Sequence, residues 1–278
     1  MSKGTIGIMQ GRLSPPRNGA IQSFPKSTWR DEFYKAEQIG FANIEWIFEQ
    51  DQYTENPLAD EDGIKEINDI IRETGVNVES VCADYFMDIP YLKATDQNKK
   101  ELKKKFEWLV VQARKIGADY VDLPFVDGSK ITASSQFSQI KDFLLAAART
   151  AEELDITIAL ETSLNPTDFQ KLLLFLNYPS VMANYDTGNS ASLGYNFQEE
   201  SSTYGKWITT VHIKDRLLKG GTVPLGSGDT DFDIFFRELE NLKYAGPIIL
   251  QAAREGDEVG TAIANKRFVQ NYLAREKR

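Results

Sequence analysis

Residues 157–186, "TIALETSLNPTDFQKLLLFLNYPSVMANYD", contain the repeat that decides the fold. A β-branched, apolar run, Thr157–Glu161, is followed by "PTDFQKLLLFLN" (166–177), which has a helical pattern. A second apolar run, Met182–Asp186, then reads as another strand. A crossover of this length carries the chain back to the same end of the sheet, so the two strands run parallel.

The same alternation extends in both directions. Strands are predicted upstream at Thr5–Met9, Asn43–Phe48, Asn77–Cys82 and Tyr120–Phe125, and downstream at Thr209–His212 and Pro247–Gln251. Helical patterns occupy residues 27–41, 62–75, 98–118, 138–154, 231–246 and 261–278; the polar piece from Gln198 to Lys206 is the weakest. Gly40, Gly75, Gly117 and Gly246 each stand between a helical stretch and the next strand, as helix-stopping glycines do. Asp231 and Thr167 are candidate caps or first-turn residues. Eight strand–helix units predict an α/β protein, a single (β/α)8 TIM barrel over residues 1–278. The rival, an open doubly wound sheet, lacks a G-x-G-x-x-G turn after any strand.

Composition narrows the function classes. The chain has 278 residues and a net charge of −9, which disfavours nucleic acid and anionic membranes as partners. The Lys-rich "NKKELKKK" (98–105) reads as one solvated helix face. The single cysteine, Cys82, cannot form an internal disulfide and reads as a buried strand residue. No run resembles a signal peptide or a membrane span, so a cytoplasmic protein is expected.

In barrels of this kind, chemistry sits at the carboxyl ends of the strands. The ends of strands five to eight are Glu161, Asp186, His212 and Gln251, separated by 25, 26 and 39 residues. His212 is the only histidine in the chain. Each has an ordinary role open to it: a lysine partner for Glu161, a turn cap for Asp186, core packing for His212, a backbone hydrogen bond for Gln251. Four such residues at four matching strand ends are read more economically as ligands of one divalent ion. Two carboxylates, an imidazole and an amide oxygen suit Mn²⁺, Mg²⁺ or Co²⁺, with Zn²⁺ less favoured for want of thiolates.

The segments "IALETS", "NYDTGN", "VHIKDR", "VPLGSGDTDF" and "GPIILQ", with "IGIMQGRLSP" and "GFANIEW" upstream, resemble the xylose-isomerase-like sugar phosphate isomerase/epimerase superfamily. The resemblance implies a metal held by Glu161, Asp186, His212 and Gln251, a sugar or sugar-phosphate substrate, and a homo-oligomer. Two departures stand out. Family epimerases usually carry glutamate where this chain has Gln251, and several relatives have a histidine where it has Asn189.

An amide cannot exchange a proton near neutral pH, so proton transfer falls to Glu161. A single base can move a proton between adjacent carbons through a metal-stabilised enediolate, which is aldose–ketose isomerisation. Two-face epimerisation needs a stand-in acid, for which Glu45, Asp84 and Lys214 are candidates. Candidate substrate contacts are Arg12, Glu45, Asp84, Asn189, Lys214, Arg216 and Arg254. Arg17 and Lys219 add charge nearby, and Gly226 and Gly228 precede a helix start that would suit a phosphate. Trp46, Phe48 and Phe125 fit either a sugar-pocket wall or core packing. The alternatives are a dehydratase of the inosose or dehydroshikimate type and a non-catalytic carbohydrate-binding barrel.

Overall fold

The computed structural model describes residues 4–51 and 53–275, so the last three residues of the predicted 261–278 helix lie outside the described residues. The first seven strands are β1 (Ile6–Met9), β2 (Asn43–Ile47), β3 (Asn77–Cys82), β4 (Tyr120–Phe125), β5 (Thr157–Thr162), β6 (Val181–Asp186) and β7 (Ile208–Ile213). Next come two short strands, β8 (Asp215–Arg216) and β9 (Thr222–Val223), which form an antiparallel hairpin, and then β10 (Ile248–Leu250). Eight strands close into a barrel in the order β1-β10-β7-β6-β5-β4-β3-β2. Parallel registers join β1 to β10, β10 to β7, β3 to β4, β4 to β5, and β5 to β6. The order round the barrel follows the order along the chain, as successive strand–helix units require.

The helices are α1 (Trp29–Ile39), α2 (Glu61–Thr74), α3 (Tyr85–Asp88), α4 (Asp96–Lys115) and α5 (Phe137–Glu153), followed by α6 (Pro166–Leu176), α7 (Thr187–Leu193), α8 (Phe197–Tyr204), α9 (Phe232–Asn241) and α10 (Glu258–Arg275). Their ends follow local chemistry. Asp231 caps α9 as expected, accepting the Ile234 N–H at 2.9 Å. Thr167 lies in the first turn of α6 rather than at its cap. Asn165 is the cap, accepting the Asp168 N–H at 2.9 Å, with Pro166 at the first helical position, where its missing N–H costs nothing. Gly40, Gly75 and Gly117 take positive φ, but Gly246 does not; Lys243 takes the left-handed turn after α9 instead. Gly246 serves close approach, since a Cβ there would stand 2.2 Å from the Thr209 carbonyl oxygen. The weakly patterned stretch after β6 forms two helices. In "TGNSASL" small and polar residues leave no apolar period to read.

Contacts divide the chain into two compact units, residues 1–44 with 184–278, and residues 45–183. In the second unit, α2 buries Ile64, Ile67 and Ile70, and Phe106 of α4 stacks on Phe143 of α5 at 5.4 Å between ring centroids. In the first, Phe235 of α9 stacks on Tyr185 at 5.8 Å. Each such aromatic or branched side chain contributes roughly 1.5–3 kcal/mol by leaving water.

Strand side chains alternate between two faces. Asn184 and Asp186 therefore share one face of β6, and Thr210 and His212 one face of β7; all four are buried. Barrel interiors are usually filled by branched apolar residues. Polar groups here need partners, and those partners define the site.

Candidate metal centre

At the end of β6, Asp186 does two things. Its Oδ1 accepts the Asn189 N–H at 2.8 Å, capping α7, while Oδ2 lies 2.8 Å from Lys214 Nζ in an ion pair. The ordinary reading of this aspartate as a turn cap thus holds for one oxygen and leaves the other for a charged partner. His212 is fully buried, and its ring meets a polar side chain. Asn184 presents its Nδ2 to the ring edge, 3.1 Å from Nδ1 and 3.5 Å from Nε2, so the tautomer decides which nitrogen accepts. The Asn184 carbonyl in turn accepts the Thr210 hydroxyl at 3.1 Å. Asp186 and His212 each offer a ligand atom, and these lie within 4.8 Å of one another. Thr187 ties the two strand ends together: its hydroxyl donates to the Lys214 carbonyl at 2.6 Å and accepts the Lys214 N–H at 2.9 Å.

Gln251 follows β10 directly, and its backbone N–H donates to the Ile213 carbonyl at 2.9 Å. Its side-chain Nε2 donates to Gln22 Oε1 at 2.9 Å. Among the described residues, the Gln251 Oε1 atom is buried with no hydrogen-bond partner. Leaving a buried acceptor unsatisfied costs about 1–3 kcal/mol, so this oxygen is positioned for a cation or a donor that the protein alone does not supply. Carboxylate, imidazole and amide oxygen together form a donor set that fits a divalent ion.

In the other unit, Glu161 is buried at the next-to-last position of β5, in register with Pro124 of β4. Glu45 is fully buried and accepts the Ser80 hydroxyl at 2.5 Å. A carboxylate oxygen of Asp122 lies within 4.8 Å of one of Glu45. The Cys82 thiol donates to Asp84 Oδ1 at 3.2 Å. Burial first, and then the negative charges of Asp84, Glu45 and Asp122, push that thiol's pKa well up, so Cys82 is not a nucleophile. Asp122 was not among the sequence candidates, although an acid inside "YVDLPF" is the signal that exposed Glu161. Trp46 donates its indole N–H to Asn56 at 3.0 Å, and Phe48 stacks on Tyr85 at 5.6 Å. Both are core residues.

The arginines expected to meet substrate also bond to the chain itself. Arg12 donates to the carbonyls of Ala252 and Ile21, at 3.1 and 2.6 Å. Arg254 donates to the carbonyls of Ile21, Ser14 and Gly11, at 2.9, 3.0 and 2.7 Å. Arg216 grips the Gly220 carbonyl through Nε and Nη2 and donates to Asn189 Oδ1 at 2.8 Å. The glycine loop is occupied too. Buried Asp215 accepts the N–H groups of Gly226, Gly228 and Thr230 at 2.9, 2.8 and 3.1 Å, filling an anion cradle with the chain's own carboxylate. On α1, Glu32 does the same for the loop after β1, accepting Gly11 and Leu13 N–H groups at 2.8 and 3.0 Å. Desolvation by burial, outweighing those hydrogen bonds, pushes its carboxyl up to about 7.

Comparison with known proteins agrees with this architecture. The family model described as xylose isomerase-like TIM barrel matches residues 33–272. L-ribulose-5-phosphate 3-epimerase UlaE of Escherichia coli strain SMS-3-5 is 25% identical over 241 residues, covering 83% of this chain and 84% of the enzyme. The structure of D-allulose 3-epimerase from Methylomonas sp. in complex with D-allulose superposes with a TM-score of 0.76 at 14% identity, covering 98% of both chains. The IOLI protein, solved with a zinc atom, gives 0.75 at 17% identity, again over 98% of both. No helix among the described residues is long and apolar enough to cross a membrane.

Proposed function

The chain belongs to the xylose isomerase-like TIM barrel family, and on that premise we propose that it is a divalent-metal-dependent isomerase or epimerase of an unphosphorylated sugar. The observation that carries this reading is the buried Asp186–His212 pair, with the buried Gln251 oxygen, which has no hydrogen-bond partner among the described residues, at the end of β10, the strand that pairs with β7. By the resemblance to the family, Glu161 of β5 is the proposed fourth ligand and the general base. A bound divalent ion would polarise the substrate's carbonyl and lower the cost of the enediolate.

The chain's own residues divide the remaining work. Glu161 removes the proton from the carbon next to the carbonyl and can return it to the neighbouring carbon on the same face. Gln251 contributes an oxygen without taking a proton. Of the three stand-in acids, Lys214 forms an ion pair with a proposed ligand, its Nζ 2.8 Å from Asp186 Oδ2. It is the proposed donor for epimerisation, where the proton must arrive on the opposite face. Glu45 and Asp84 are instead held by Ser80 and Cys82.

Support for an uncharged substrate comes from the loops. Arg12, Arg216 and Arg254 donate to backbone carbonyls, and the Gly226–Gly228 amides hold Asp215. The curated relative's substrate is a phosphate ester by its name; in this chain these three arginines each bond to at least one of its own backbone carbonyls. The test is elemental analysis of the purified protein, then mass spectrometry in D₂O with ketoses, aldoses and their terminal phosphates. One divalent ion per chain and deuterium uptake into free sugars are expected. A protein that holds the ion yet exchanges no substrate proton would overturn the enzymatic reading, and exchange confined to the phosphates would overturn the substrate class.

A further inference from the structure

The amide of Gln251 is symmetric in shape but not in chemistry: one end accepts and the other donates. Only the oxygen can ligate a cation, so something must decide which end faces the site. Gln251 Nε2 donates to Gln22 Oε1 at 2.9 Å. That contact alone is ambiguous, because two facing amides can both flip. Arg12 removes the ambiguity. Its guanidinium only donates, and Nη2 stands 3.5 Å from the same Gln22 Oε1. With Arg12 itself fixed by the carbonyls of Ile21 and Ala252, Gln22 must turn its oxygen toward Arg12. Gln251 must then offer its amide nitrogen to Gln22, and its oxygen points away, buried and unpartnered.

We infer that Gln22 is a positioning residue that, oriented by Arg12, makes Gln251 an oxygen ligand. The inference rests on the metal reading above and deepens it. It assigns to the loop after β1 a part in the chemistry of the β10 end, 229 residues away in sequence. It also gives Arg12, expected to contact substrate, a task in orienting Gln22.

A double-mutant cycle read by Mn²⁺ titration of the purified full chain tests the relay. Losing a partner that orients a metal ligand typically weakens binding 10–100-fold, so Gln22→Leu is expected to lower Mn²⁺ affinity roughly tenfold. Gln22→Glu keeps an acceptor opposite both Arg12 and the Gln251 amide, and should stay near wild type. The decisive variant is Gln251→Glu, in which both side-chain ends are oxygens and orientation no longer matters. In that background Gln22→Leu should change affinity by less than about twofold. An equal loss in both backgrounds, or none in wild type, overturns the relay while leaving the metal site intact. A wild-type protein that binds no Mn²⁺ overturns both.

Discussion

Lys214 Nζ lies 2.8 Å from Asp186 Oδ2, the carboxylate oxygen that does not cap α7. The protein therefore keeps its own cation against a group proposed to hold a metal. The pair is largely buried, with 14% of the Lys214 side chain and 1% of the Asp186 side chain exposed, so solvent screens it weakly. A divalent ion must share Asp186 with this ammonium. Replacing Lys214→Met should therefore raise Mn²⁺ affinity by roughly tenfold, while lowering epimerisation at least a hundredfold as the second acid disappears. Mn²⁺ titration and product analysis measure the two effects separately. A fall in both would show that Lys214 builds the site rather than competing for it.

Placing a second carboxylate at the end of β10 gives the next prediction. Gln251→Glu adds a group that can exchange protons and a stronger ligand, in a position where the present oxygen has no protein partner. Mn²⁺ should bind more tightly, and inversion at the carbon next to the carbonyl should rise relative to carbonyl migration. Chiral separation of products from one ketose reads that ratio. An unchanged ratio would place the second proton donor away from β10.

The strand-end positions of Glu161, Asp186, His212 and Gln251 were legible because each ends an apolar run, where an unpaired polar group is costly. Asn184 carried a weaker form of the same signal, two residues before Asp186 on the same face of β6. Gln22 carried none, since its importance depends on a contact with a residue 229 positions away. The backbone contacts of Arg12, Arg216 and Arg254 were not legible for a physical reason: composition does not say which carbonyls a guanidinium will meet. Asp215, inside the charged "HIKDR", was not among the candidates and is fully buried.

Asp215 tests the loop reading directly. It accepts three backbone N–H groups of the Gly226–Thr230 turn. Asp215→Ser should cost about 2–4 kcal/mol, because buried donors lose a charged acceptor. The vacated cradle then suits an external anion. Inorganic phosphate should raise the thermal midpoint of Asp215→Ser by several degrees and leave the wild type unmoved. Equal stabilisation of both would show that the wild-type loops already bind phosphate.

Glu32 gives stability a pH signature. Its carboxyl titrates near 7 in the folded chain against an ordinary value of 4.5, chiefly through desolvation. Below about pH 4.5 it is protonated in both folded and unfolded chains, and its contribution is fully present. As pH rises toward 7 the unfolded chain releases the proton and the folded chain keeps it, so stability falls across that window by up to about 3 kcal/mol. Glu32→Gln is neutral throughout and removes this dependence. Urea unfolding at pH 4.5, 6 and 7.5 should show wild type losing ground to the variant between the first and last points. Parallel curves would mean that the amides of Gly11 and Leu13 hold the carboxylate charged.

Gly246 separates two explanations of a glycine before a strand. If it stopped a helix by taking positive φ, alanine there would cost about 1 kcal/mol. The left-handed residue is Lys243, and Gly246 instead packs against β7, where a Cβ would meet the Thr209 carbonyl oxygen at 2.2 Å. That oxygen also accepts the Tyr244 hydroxyl at 3.1 Å, so it cannot retreat without breaking a hydrogen bond. Gly246→Ala should therefore destabilise the chain by roughly 2–4 kcal/mol, as overpacking against backbone does. Lys243→Gly, which relieves a positive φ of 55°, should instead be neutral or slightly stabilising. Chemical denaturation of the two variants checks both, and a Gly246→Ala loss under 1 kcal/mol would return this glycine to the role of a simple helix stop.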